Sequence, residues 1–172
     1  MTRTNSVLLM ILISLAISGC LMSCATSKGI ISTYYPHHTL VQLKDLNEDV
    51  QEYFSEKYPN SHPGCIKEDF DGDGVVDYAL LLRTNIKGRI IERLVVLKGE
   101  NGKKFIPIDL DESDERIGDS FLRLIPAGRV EKCDRTETVT IDHPGFEIVL
   151  FEAASRVYFW KEGKFNFIQT SD

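Results

Sequence analysis

The sequence predicts an α+β chain that is mostly β: an antiparallel meander of seven or eight strands, open or barrel-like, with one N-terminal helix packed on it. Three observations carry this. Apolar residues recur at helical spacing over one convincing stretch only, Leu43 to Phe54. Beyond Gly64 the chain divides into short apolar or alternating runs bounded by turn residues. No internal repeat recurs, so a propeller is excluded. With 42% hydrophobic and 27% charged residues the composition is that of a folding chain, and 172 residues suffice for one domain plus an export segment.

The helix comes first. Leu43, Leu46, Val50, Tyr53 and Phe54 form one stripe, Thr39 with Gln42 has the spacing of a capping box, and Pro59 ends the element near Tyr58. Tyr78–Thr84 and Ile91–Lys98 are apolar on both faces, as central strands are. Asn101-Gly102 marks a tight turn into Lys104–Leu110. Phe121–Ile125 runs into the turn Pro126-Ala127-Gly128. Val139 and Ile141 alternate with Thr138 and Thr140, one face in and one out. Glu147–Glu152 is a further apolar run, and Val157–Trp160 and Phe165–Thr170 flank a hairpin turn at Glu162-Gly163.

The N-terminus speaks to compartment. Arg3 gives a short positive start, and Val7 to Ile17 is an apolar run too short to span a bilayer comfortably. It ends in Ile17-Ser18-Gly19-Cys20. Small residues before a cysteine resemble the lipobox of bacterial lipoproteins. The resemblance implies a signal peptide over residues 1–19, acylation of Cys20, a lipidated tether over 20–38 and one globular domain over 39–172. Leu21-Met22-Ser23-Cys24 is the alternative box, with Cys24 acylated instead. Neither cysteine is followed by aspartate. In such lipoproteins that residue favours inner-membrane retention, so the resemblance implies the outer membrane, facing the periplasm or the surface. More than one acyl chain makes such anchoring stable. In that oxidising compartment Cys65 and Cys133 are expected to pair as a disulfide, closing a loop of about 68 residues. In the chain-entropy model such closure contributes roughly 4 kcal/mol.

The densest chemistry lies in Asp69-Phe-Asp71-Gly-Asp73-Gly-Val75-Val-Asp77. Alternate residues aim inward, and glycines stand where such a loop must turn sharply. Asp69, Asp71, Asp73, the Val75 carbonyl and Asp77 are the expected ligands of a hard cation, at positions 1, 3, 5, 7 and 9. Four carboxylates drawn to about 5 Å repel by roughly 0.8 kcal/mol per pair even in water, so a folded loop needs a counter-charge. The stretch departs from an EF-hand: Leu80 stands where the bidentate glutamate belongs, and the flanks read as strands. It resembles the Asp-x-Asp-Gly-Asp-Gly-x-x-Asp loop of FG-GAP and VCBS-type repeats, present here as a single copy over Cys65 to Leu82. That resemblance implies a structural calcium ion clamping a β-hairpin. Magnesium, which retains water, suits the site less well. The second acidic run, Asp109 to Glu115, lacks the turning glycine and reads as a solvated loop.

A net charge of −6 and scattered basic residues argue against nucleic acid as a partner. No nucleophile elbow or HExxH motif is present, and His62 and His143 each open a His-Pro-Gly turn. The expectation is a non-enzymatic envelope protein, bound to the membrane through its lipid and binding an unidentified protein or envelope polymer. A periplasmic immunity or inhibitor protein, and a hydrolase assembled from distant residues, are the alternatives.

Overall fold

The protein is described by a computed structural model covering residues 27–101, 104–115 and 117–171. The expected signal peptide over residues 1–19, Cys20 and Cys24 lie outside the described residues.

Among the described residues two α-helices, α1 (Ser27–Tyr34) and α2 (Glu48–Lys57), accompany eleven strands. These are β1 (Thr39–Leu40), β2 (Cys65–Glu68), β3 (Asp77–Ile86), β4 (Arg89–Glu100), β5 (Lys104–Ser113), β6 (Ser120–Ile125), β7 (Gly128–Glu131), β8 (Thr138–Ile141), β9 (Gly145–Leu150), β10 (Ala154–Lys161) and β11 (Lys164–Ser171). The expected mostly-β, antiparallel class holds, with open sheets rather than a barrel. The strand count exceeds seven or eight because β1, β2 and β7 are too short to show a period.

The first sheet runs β1-β3-β4-β5, and β2 shares an edge of β3 with β1. β2 pairs with Asp77–Leu80 and β1 with Leu82 and Arg83, end to end. The β3–β4 hairpin closes at Lys87-Gly88, both at positive φ, as a two-residue turn with right-handed twist requires. A second sheet runs β11-β10-β9-β6, and β7-β8 is a separate hairpin inserted between β6 and β9.

The double-sided burial of β3 and β4 sets the layering. Ala79, Leu81, Leu94 and Val96 face inward onto Phe121, Phe146 and Tyr158 of the second sheet and onto Val50 and Phe54 of α2. Leu80, Leu82, Val95 and Leu97 face the other way, beneath Ile31 and Tyr35. The first sheet is thus covered on both faces, which is why its strands lack polar alternation.

Four sequence readings are corrected. The stretch read as a tether carries α1 in its described part, whose Ile31 is 4% exposed and packs on the first sheet. Thr39 lies in β1, not in a helix cap. The box instead forms three residues on, where the Gln42 amide donates to Asp45 Oδ2 at 2.8 Å and opens a 3-10 turn, Leu43–Asp45. Leu43 consequently leaves the apolar stripe and is exposed, while Val50 and Phe54 carry it. Much of the acidic run Asp109 to Glu115 is not loop but the end of edge strand β5. Asp109 and Glu112 pair with Arg93, and Asp111 with Arg156. Charges on an edge strand discourage pairing with another chain. Finally, Cys65 and Cys133 are not bonded to each other. Cys65 is buried in the layer beneath α1, whereas the Cys133 amide donates to Gln169 on β11, in the other sheet.

Candidate metal centre

The aspartate loop connects β2 to β3 and is shaped by its own carboxylates. Asp69 Oδ1 accepts the amides of Gly72 at 2.8 Å and Asp73 at 3.2 Å, and its Oδ2 accepts Gly74 at 2.8 Å. Asp73 Oδ1 accepts the Val75 amide at 2.8 Å. Gly72 and Gly74 have φ of 75° and 82°, a region L side chains rarely adopt. Gly72 is constrained twice over: the His143 imidazole lies against it, where an added Cβ would collide with the ring.

Two anchors hold the loop to the body. Phe70, fully buried, packs its ring 5.2 Å from that of Phe146 and 6.2 Å from that of Phe165. Asp77, 1% exposed, accepts the Phe70 amide at 3.0 Å and the Gly99 amide of β4 at 2.7 Å. It therefore ties the loop's start to the neighbouring strand. Burial raises the Asp77 carboxyl to about 6 against the opposing pull of those two amides, and Asp71 adds to the rise.

Asp69, Asp71 and Asp77 each present an oxygen, and the three lie within 4.8 Å of one another, a group able to hold a metal ion. A carboxylate oxygen that accepts one amide keeps a lone pair for a cation. Of the sequence-predicted ligands, these three are brought together. Asp73 is outside the group: one oxygen is engaged by Val75 and the other lies 3.1 Å from Lys98 Nζ. Val75 packs its side chain toward Gly99.

Lys98 is the residue that sequence reasoning missed. Its ammonium sits 2.6 Å from Asp71 Oδ2 and 3.1 Å from Asp73 Oδ2, and 5.8 Å above the Trp160 ring. It supplies the counter-charge the loop needs. The Asp71 hydrogen bond holds the Lys98 ammonium above its ordinary pKa. Asp73 is held below the usual carboxylate range by the Val75 amide and then by Lys98. The signal was obscured because Lys98 lies some twenty residues on, at the end of a β4 run read as apolar.

Compared with known protein families, curated proteins and solved structures, the chain matches none.

Proposed function

We propose that the chain is a lipid-anchored cell-envelope protein whose Asp69–Asp77 loop holds a structural calcium ion, and whose β-rich domain binds a protein or envelope polymer without catalysing a reaction. The observation that carries the calcium reading is the convergence of Asp69, Asp71 and Asp77 in a loop already folded by its own amides. Calcium takes six to eight oxygens in flexible geometry, and extracellular sites of roughly 10⁻⁴–10⁻³ M affinity suffice outside the cytoplasm. Asp69, Asp71 and Asp77 would hold the ion, with Asp73 and the Val75 carbonyl as the further ligands that the loop spacing offers, and its charge would replace that of Lys98 against Asp71. The ion's role is structural, since the loop joins β2 to β3 and Asp77 ties it to β4.

Acylation at Cys20, with Cys24 as the alternative, anchors the chain in the outer membrane. The anchor rests on the lipobox alone. Of the histidines, His38 edges against Tyr35, His62 Nδ1 accepts the Gly64 amide, and His143 covers Gly72.

Trp160 is the chain's single tryptophan and reports the exchange directly. Titrating calcium should change its fluorescence saturably as Lys98 withdraws, and Asp71→Asn should abolish the change. An unaltered spectrum through millimolar calcium contradicts the site. Labelling with radioactive palmitate should follow Cys20 and be lost in Cys20→Ser. Label that persists there and vanishes in Cys24→Ser moves the anchor, and no label in the parent chain removes it.

A further inference from the structure

A cavity of about 320 Å³ opens between the two sheets, away from the aspartate loop. Its size is at the lower end of small-ligand sites, roughly 300–1,000 Å³. Leu81 and Leu94, each 1% exposed, are part of its lining with Ile148 and Leu150 of β9. Its polar lining is unbalanced: Glu92, Asp111, Glu112 and Glu115 against Arg156 alone.

The neutralisation of those carboxylates is uneven. Glu92, 5% exposed, is matched by Arg83 directly opposite it on β3, and Glu112 by Arg93. Asp111 meets Arg156 at 3.0 Å across the gap between the sheets, with both side chains 44% exposed, so solvent competes for that pair. Among the described residues Glu115 has no ion-pair partner. In the same conformation Arg156 lies 5.6 Å over the Phe167 ring, a contact its guanidinium keeps if Asp111 is taken from it.

Two register shifts frame this cavity. Leu94 pairs with Asp111 and Val95 with Asp109, leaving Leu110 as an extra residue on β5. Ser155 pairs with Ser171 and Arg156 with Gln169, leaving Thr170 extra on β11. Bulges re-aim side chains and concentrate beside functional sites. Here both fall at cavity-lining residues, Leu94 and Asp111 in one sheet and Ser155 and Arg156 in the other.

We propose that this cleft receives a basic side chain, lysine or arginine, from a partner polypeptide. The aliphatic stem lies on Leu81, Leu94 and Ile148, and the cationic head displaces Arg156 from Asp111 and meets Glu115. Arg156 stays on Phe167. A net charge of −6 favours encounter with such a partner. The inference rests on reading the chain as a binding module, and not on calcium.

The test is an NMR titration of the isotope-labelled full-length protein in detergent and chelator, with acetyl-Gly-Lys-Gly-amide as the probe. The lysine peptide should shift the amides of Leu94, Ser113, Ser120 and Ile148. The norleucine peptide, of the same stem without the charge, should bind at least tenfold more weakly. Asp111→Asn combined with Glu115→Gln, both on the exposed rim, should weaken the lysine peptide about tenfold. Equal affinity for norleucine, shifts confined to Gly72–Val75, or no shift at all overturns the proposal. So does tighter binding of free butylamine, which assigns the cleft to a small amine. Because chelator is present throughout, failure here leaves the calcium reading standing, and loss of the calcium reading leaves this one intact.

Discussion

Replacing Lys98 with methionine should destabilise the calcium-free protein and at the same time raise its affinity for calcium. The stem is preserved, so what is lost is the charge, together with the ammonium's contact over the Trp160 ring. The magnitude follows from the two contacts. Asp73 is 39% exposed, and its pairing with Lys98 is a surface interaction of about 0–1 kcal/mol. Asp71 is 7% exposed and Lys98 18%, so that contact approaches a buried pair, whose breakage costs about 3–5 kcal/mol. The lower end applies, because Lys98 retains some water. A loss of about 3 kcal/mol lowers the melting temperature by roughly 6–12 °C at 2–4 °C per kcal/mol. Calcium then enters a loop with no ammonium to displace, so affinity should rise about tenfold, equivalent to about 1.4 kcal/mol. The assays are thermal melts in chelator and calorimetric titration with calcium. An unchanged melt in chelator refutes the counter-charge role. Weaker calcium binding in the variant refutes the exchange of ammonium for ion.

Three further outcomes follow. Phe70→Ala empties a fully buried site between Phe146 and Phe165 and should cost about 3–5 kcal/mol in urea unfolding; a loss under 1 kcal/mol contradicts the anchoring of the loop by Phe70. His62 is held below its ordinary pKa by burial, and its Nδ1 must be unprotonated to accept the Gly64 amide. The unfolded chain takes up that proton near pH 6.5, so the His62 contribution is complete above about pH 7 and is lost as pH falls through 6.5 toward the lower folded value. Asp77 and Glu92, raised by burial, act in the opposite direction. The measured quantity is therefore the stability difference between the protein and His62→Asn, which should shrink from pH 7.5 to pH 5; a constant difference contradicts the assignment. Non-reducing digestion and mass spectrometry should recover no peptide joining Cys65 to Cys133, and an abundant linked peptide contradicts the separation of the two residues.

The strands of the first sheet were legible because burial on both faces leaves an unbroken apolar run, as in Leu80–Leu82 and Leu94–Leu97. Glu162-Gly163 was legible because its turn demands positive φ at both positions, and the structure has 54° and 77°. β1 and β2 were not, because two and four residues show no period and are ordered by pairing along β3. α1 was missed for a related reason: tertiary packing of Ile31 and Tyr35 on the first sheet overrides weak local propensity. Asp109 to Glu115 read as loop because charge was taken for solvation, while an edge strand satisfies the same charges through Arg93 and Arg156. In the aspartate loop, spacing identified Asp69, Asp71 and Asp77, since glycine and alternation are local. Lys98 escaped because its approach depends on the β3–β4 register, which places Leu97 opposite Tyr78. The cysteine pair failed for want of geometry: compartment chemistry permits a bond but does not bring two sulfurs together.

The most direct test of the calcium site is a pair of melting curves, one in 10 mM calcium and one in chelator. A site of about 10⁻⁴–10⁻³ M affinity gains roughly 1.4–2.7 kcal/mol at that concentration. That gain raises the melting temperature by roughly 3–11 °C, and Asp71→Asn should erase it. Coincident curves for the parent protein contradict a calcium ion held by Asp69, Asp71 and Asp77.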